Sequence, residues 1–444
     1  VWDVAAIILG CPACDRVSMS IYPAAGLEGT IEYGAEGGPF TRKTDSRSFP
    51  GKAPVLVTLT GLAGDTAYTY RLRYRKGGEN EFRRSPDYHF HTCRAPGSAV
   101  TFEVQGDSHP ERTPEQNDPE LYAQTLAAAA KDRPDFYVCI GDDFSVDALA
   151  EVTADSVARV YLRHLPFLGL VGHSSPLFLV NGNHDQAALC NLDGTPDNVA
   201  VWARTSRNRL FLQPAPDGFY TGDGEEVEHI GLLRDYYAWT WGDALFVVID
   251  PYWHSPEPVD TPFRGGRKSR DPWSATLGET QYKWLKQTLE GSKTKFKFVF
   301  AHHVNGTGRG GTEEADLYEW GGKNRAGDWE FDEKRPGWEL PVHQLMARAG
   351  VTILFQGHDH VFAKQEKDGV VYQTLPQPAD PFYALYNDDV YQSGVVLPNT
   401  GRLRVSVGPE KVRVEYVRSY LPKDSTAKHP DGEVAFTYEI PASK

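Results

Sequence analysis

The chain is poor in cysteine, in net positive charge and in long apolar runs, and each shortage removes a class of protein. Five cysteines in 444 residues leave at least one thiol unpaired. Cys11 and Cys14 form a C-x-x-C, but no second pair at zinc-finger spacing follows, so a structural zinc is not expected. A small local disulfide and two free thiols both remain open there. Cys139 lies in an apolar run and reads as a buried small hydrophobe. Acidic residues outnumber basic ones, 60 to 46, for a formal charge of −14. That balance argues against a nucleic-acid or anionic-membrane surface, because nothing offsets phosphate repulsion. The longest apolar runs, such as Val4 to Leu9 and Leu245 to Ile249, are far too short for a membrane span. Internal repeats and low-complexity tracts are also missing.

What is present is a well-packed composition, 40% hydrophobic with many aromatics, in a chain long enough for two domains. Residues 1–95 read as all-β. Val17, Met19 and Ile21 alternate with Ser18 and Ser20, and Tyr68, Tyr70, Leu72 and Tyr74 alternate with Thr69, Arg71 and Arg73. Period-two patterns of this kind are half-buried strands. Residues 93–98 read as a linker. From Val100 strands and helices alternate, which predicts an α/β domain over residues 99–440. Helices are expected at Pro119 to Lys131, Thr153 to Leu165 and Thr280 to Leu289, with paired strands at Tyr236 to Trp241 and Ala244 to Ile249. Leu403 to Val407 and Val412 to Tyr416 are expected to close the sheet. The long segment Val304 to Leu340 has little periodicity and is expected to wall the active site.

Five patches concentrate metal-binding side chains: Asp107-Ser108-His109, Gly141-Asp142-Asp143, Gly182-Asn183-His184-Asp185, His302-His303 and Gly357-His358-Asp359-His360. Most follow a strand-like run. Strand C-termini point into a shared crevice, so residues distant in sequence can meet there. Asp, Asn and His side chains in this number suit two adjacent divalent ions with positions left for water and substrate, an arrangement used to displace leaving groups from phosphorus. Outside the patches, His89-x-His91 reads as structural. Arg204, Arg207 and Arg209 suit either an oxyanion or a solvated helix face.

In this order the patches resemble the calcineurin-like metallophosphoesterase superfamily, whose motifs run D-x-H, G-D, G-N-H-D/E, H and G-H-x-H. The resemblance implies a two-sheet sandwich flanked by helices. The all-β segment ahead of it is similar to a fibronectin type III-like sandwich, a layout shared with purple acid phosphatases and PhoD-like phosphatases. It further implies two metal ions, divalent or trivalent, with Zn, Mn, Fe and Co all compatible. One would be held by Asp107, His109, Asp142 and His360, the other by Asp142, Asn183, His302 and His358, with Asp142 bridging. His184 would be catalytic, and Asp185 would accept a hydrogen bond from its other ring nitrogen. His303, Asp143 and His254 are candidates for substrate contact or support of the ligands. His302 and His303, as neighbours at a strand end, are expected to point to opposite sides. Purple acid phosphatases carry a ligating Tyr where this chain has Ser145, so the Fe(III)–Tyr arrangement is not expected.

The expected activity is hydrolysis of a small phosphate ester by a metal-bound hydroxide, most simply a phosphomonoesterase, with a phosphodiesterase as the alternative. A reading of a different class is an inert scaffold that keeps the motifs as a skeleton; loss of a ligand or of His184 would favour it, and none is lost. The chain begins at Val1 rather than Met, as a removed secretory signal or a shortened chain would leave it. A secreted or periplasmic location is expected, and the oligomeric state is left open.

Overall fold

Aromatic side chains decide how the larger part of the chain is layered. The computed structural model describes residues 3–185, 188–259, 271–305 and 308–442. Its first nine strands are β1 (Val4–Gly10), β2 (Arg16–Pro23), β3 (Leu27–Ala35), β4 (Arg42–Lys43), β5 (Arg47–Phe49), β6 (Val55–Thr60), β7 (Ala67–Lys76), β8 (Arg83–Arg84) and β9 (Tyr88–His91). They form two facing sheets, β1-β2-β6 and a second centred on β3 and β7. The predicted alternation is realised: Val17, Met19, Ile21, Tyr70 and Leu72 are buried in the core between them.

Two larger sheets follow. Strands β10 (Val100–Gln105), β11 (Phe136–Cys139) and β12 (Leu177–Leu179) run parallel, interleaved with α1 (Pro119–Asp132), α2 (Ala154–Gly172) and, after β12, α3 (Val199–Leu210). The second sheet uses β13 (Thr221–Gly222), then, after a small hairpin β14 (Glu226–Val227) and β15 (Gly231–Leu232), β16 (Tyr237–Trp241) and β17 (Ala244–Val248). It continues through α4 (Glu279–Gly291), β18 (Phe296–Phe300), the short helices α5 (Tyr318–Gly321) and α6 (Phe331–Lys334), α7 (Val342–Arg348), β19 (Ile353–Gln356), β20 (Phe362–Lys367), β21 (Val370–Thr374) and β22 (Val395–Leu397). Strands β23 (Gly401–Val407), β24 (Lys411–Arg418) and β25 (Val434–Pro441) return to the first sheet. The orders are β12-β11-β10-β23-β24-β25 and β13-β16-β17-β18-β19-β21-β20-β22.

Each central strand is buried on both faces, so its residues alternate between two apolar cores rather than between core and water. Phe136, Val138 and Ile140 face the opposite sheet, whereas Tyr137 and Cys139 face α1 and α2. Between the sheets Phe102 stacks on Phe136 at 5.3 Å and meets Phe246 edge-on at 5.2 Å. Helices α4 and α7 cover the outer face of the second sheet through Leu285, Leu289, Val342 and Leu345.

The N-terminal sandwich is seated on this body. Ala6 and Ile8 of β1 join the core beneath α2, and the Tyr70 hydroxyl donates to the His173 carbonyl at 2.6 Å. Two expectations change. The first sheet does not end at β24, because β25 pairs along it with a half-exposed alternation. The segment from Val304 to Leu340 is only partly a wall of the site: Trp320, Phe331 and Trp338 pack into apolar clusters instead.

Candidate metal centre

The parallel strands β10, β11, β12, β18 and β19 all end at one edge, and the five motifs occupy the turns just beyond them. These turns are strained. His109, Asp142, His358 and His360 have positive φ angles of 40°, 57°, 67° and 55°. Non-glycine residues in this region cost about 1–3 kcal/mol each and persist only where surrounding contacts fix them. Here the contacts are specific: the His358 backbone N–H donates to Asp107 Oδ1 at 2.9 Å, and the His184 N–H donates to Asp142 Oδ1 at 2.8 Å. The glycines of two motifs follow from the same crowding. A Cβ on Gly182 would fall 2.1 Å from Asp142 Oδ1, and one on Gly357 would fall 2.4 Å from Asp107 Oδ1.

The seven side chains expected to ligate metal converge and are buried. His360 Nε2 lies 3.1 Å from Asp107 Oδ2 and 3.1 Å from His109 Nε2. His302 Nε2 lies 3.0 Å from Asn183 Oδ1 and 3.1 Å from Asp142 Oδ2, and His358 Nδ1 is 3.1 Å from the same Asn183 oxygen. Asp142 Oδ2 also lies 3.6 Å from His109 Nε2, so it stands between the two histidine groups.

Whether this cluster fits cations is tested by its proton bookkeeping. His302 Nδ1 donates to the Ile140 carbonyl at 2.9 Å, which leaves a bare lone pair on Nε2 in the neutral ring. That lone pair faces two oxygen acceptors. His109 repeats the pattern, with Nδ1 donating to Glu111 Oε1 at 2.7 Å and Nε2 turned towards His360 Nε2. Acceptors aimed at one another in a dry interior demand positive charge between them. The pKa directions say the same. Burial opposes charge on His302, yet Asp142 and Asp107 outweigh it and raise it to about 10; His109 is likewise raised to about 9 by Asp107 and Glu111 against burial. Fixing a ligating ring through its second nitrogen is how proteins orient metal-binding histidines. The residues fit bound metal cations.

Three readings from sequence are corrected by the geometry. Asp185 is not the partner of His184: it accepts the backbone N–H groups of Asp142 (2.7 Å), Phe144 (2.5 Å) and Gly182 (3.0 Å), tying two motif turns together. His184 Nδ1 instead lies 2.9 Å from Asp147 Oδ2. His302 and His303 do not point apart, because both lie beyond the end of β18 in a bend where strand alternation no longer holds. The ring nitrogens of His302, His303 and His358 come within 4.8 Å of one another, and Tyr252 and His303 Nδ1 share a 2.6 Å hydrogen bond. Third, Arg204 and Arg207 are neither solvated nor left free to hold a substrate oxyanion. Both are buried, Arg204 against Asp235 at 3.1 Å and Arg207 donating to the Leu179 carbonyl.

Of the two roles left open for Asp143, substrate contact or support of the ligands, the geometry gives support. Asp143 accepts from Ser108 Oγ (2.6 Å) and Gln105 Nε2 (2.9 Å), supporting the first motif from behind. His254 Nε2 lies 3.6 Å from Glu225 and belongs to none of the convergent groups among the described residues. Three residues at the site were not singled out from sequence. Besides Asp147, Arg112 places a guanidinium nitrogen 3.0 Å from His184 Nε2, and Arg309 donates to the His358 carbonyl at 2.8 Å. The signals available were only positional: Glu111 and Arg112 come just after His109-Pro110, and Asp147 is the next acid after Asp143. Burial disfavours charge on His184, but Asp142 and Asp147 raise its pKa.

Comparison with known proteins places this geometry. The family model for calcineurin-like phosphoesterases matches residues 101–362, more than half of the chain. A structure of PhoD is 15% identical, covers 99% of this chain and 90% of its own, and superposes with a TM-score of 0.66. The purple acid phosphatase PPD1 from yellow lupin (Lupinus luteus) seeds is 14% identical, covers 98% of this chain and 74% of its own, with a TM-score of 0.61. At these identities the likeness is one of fold, and it includes the N-terminal sandwich. No curated protein matches the sequence. The chain belongs to the calcineurin-like phosphoesterase family and is a metal-dependent phosphoester hydrolase.

Proposed function

We propose that the protein is an exported phosphomonoesterase that works with two bound metal ions. Asp107, His109, Asp142 and His360 would hold one ion, and Asp142, Asn183, His302 and His358 the other, with His303 beside the second. Bound there, the ions would supply Lewis acidity towards the phosphoryl oxygens and an acidified water. The chain's own residues carry the rest.

The observation that carries this reading is the row Asp147–His184–Arg112. The Asp147 carboxylate holds His184 Nδ1 at 2.9 Å, so the ring keeps one orientation with Nε2 facing the cluster. In this arrangement Nε2 accepts from Arg112; once an entering phosphate draws that guanidinium away, the raised pKa lets Nε2 take a proton and hand it to the leaving oxygen. Arg112 reaches that same nitrogen and is 31% exposed at its side chain, so an entering phosphate meets it directly. A guanidinium at this position neutralises one further phosphoryl oxygen, and a monoester carries one more charged oxygen than a diester. This favours the monoester.

Among the described residues no helix is long and apolar enough to cross a membrane. The testing experiment compares nitrophenyl phosphate with bis-nitrophenyl phosphate, with Mn²⁺ or Zn²⁺ supplied and His184→Ala as control. Monoester turnover lost in the control supports the proposal. Preferred diester turnover makes the protein a phosphodiesterase, and turnover of neither by metal-loaded protein removes the reading.

A further inference from the structure

The C-x-x-C of the N-terminal sandwich does not stand alone. Cys14 lies in the turn between β1 and β2, and Cys93 follows β9 at the exit of the sandwich. The Cys93 backbone N–H donates to the Ala13 carbonyl at 3.2 Å, which brings the two turns into register. Both cysteines also border one turn of the β6–β7 connection. The Asp65 N–H donates to the Cys93 carbonyl at 2.9 Å, and a Cβ placed on Gly64 would sit 3.7 Å from Cys14 Cβ. Burial first, and then the nearby Cys14 thiol, push the Cys93 thiol's pKa up. Cys14 is exposed, whereas Cys93 is buried in the core shared with the catalytic sheets, its sulfur 3.7 Å from the Thr240 carbonyl.

We propose that Cys14 and Cys93 form a disulfide that closes the sandwich on itself at its exit. The bond forms by exchange with an external disulfide such as oxidised glutathione. The accessible Cys14 thiolate attacks it, giving a mixed disulfide and releasing one thiol. The Cys93 thiolate then displaces the second thiol. The two cysteines lose two protons and two electrons, and the external disulfide is reduced to two thiols. Closing so long a loop, which runs from β2 through β9, restricts the unfolded chain and stabilises the folded one. The reaction requires an oxidising compartment, the kind of location proposed above. It does not depend on the phosphoesterase reading.

The test uses the full chain, equilibrated with oxidised and reduced glutathione, alkylated and mapped without reduction. The expected product joins the peptide bearing Cys11 and Cys14 to the one bearing Cys93. It persists in Cys11→Ser and is lost in Cys14→Ser, a substitution at an exposed position that leaves the fold intact. The oxidised wild type should melt about 5 °C or more above the same protein in a thiol reductant, and this difference should vanish in Cys14→Ser. Alkylation of both Cys14 and Cys93 after oxidation, or a bond between Cys11 and Cys14, would overturn the proposal.

Discussion

His184 is held by Asp147, not by the adjacent Asp185, across a 2.9 Å contact between Nδ1 and Oδ2. The separation of roles has a physical reason. Asp185 is committed to three backbone N–H groups, and the His184 ring turns to Asp147 instead. Asp147→Asn should therefore lower kcat by about 10- to 100-fold while leaving metal content and fold unchanged. His184→Ala should cost more, about 10²- to 10⁴-fold. Paired measurements of kcat and bound metal check this, and an Asp147→Asn enzyme with wild-type kcat would assign the role elsewhere.

Arg112 makes a different prediction. It is tethered by Gln116, whose Oε1 accepts at 2.7 Å, and it touches His184 rather than any expected ligand. Arg112→Ala should lower kcat/KM for a monoester by about 10- to 100-fold, the equivalent of one charge-assisted contact of 1.5–3 kcal/mol. Diester turnover should change less. Equal losses on both substrates would mean that Arg112 only positions His184.

Metal removal should be visible in stability. The bare Nε2 atoms of His302 and His109 face acceptors, so the metal-free protein must bring protons into that interior or tolerate the repulsion. A ligand present at 100 times its Kd stabilises by about 2.7 kcal/mol per site. Chelation should lower Tm, and Mn²⁺ or Zn²⁺ should restore it in wild type but not fully in His302→Ala. A melting temperature indifferent to chelator and metal would argue against occupancy of the site.

The motifs were legible in the sequence because each is a short local pattern at a strand end. Period-two alternation likewise gave the N-terminal strands, and the β16–β17 hairpin followed from Gly242-Asp243 between two apolar runs. What local patterns cannot show is which side chain meets which across the fold. Asp147 and Arg112 reach His184 from separate loops, and nothing in their spacing marks that meeting. Arg204 and Arg207 looked like surface cations because α3 reads as an amphipathic helix, yet Asp235 and the Leu179 carbonyl receive them in the interior. The expectation for His302 and His303 misplaced His303 because strand geometry was extended past the end of β18. Strand β25 was overlooked because its inward residues are only half buried.

Far from the metal cluster, Glu103 on β10 and Arg402 on β23 are paired at 2.7 Å with both side chains buried, and Arg402 also donates to Asp132 at 2.6 Å. Burial, with the neighbouring Asp132, raises Glu103 from 4.5 to about 8 despite the opposing Arg402. The folded protein thus keeps a proton that the unfolded chain releases near 4.5. Between these values the folded state binds more protons, so stability must fall as pH rises, by at most about 1.4 kcal/mol per pH unit for one proton. This contribution is complete below about 4.5 and is lost as pH passes through about 8. Glu103→Gln cannot titrate. Relative to wild type it should gain stability between pH 5 and pH 8, on the order of a few kcal/mol in all. Urea unfolding at several pH values across that window measures the difference directly, because every other titrating group is common to both proteins. Parallel pH profiles would show that Glu103 is already ionised in the folded state and that Arg402 alone outweighs its burial.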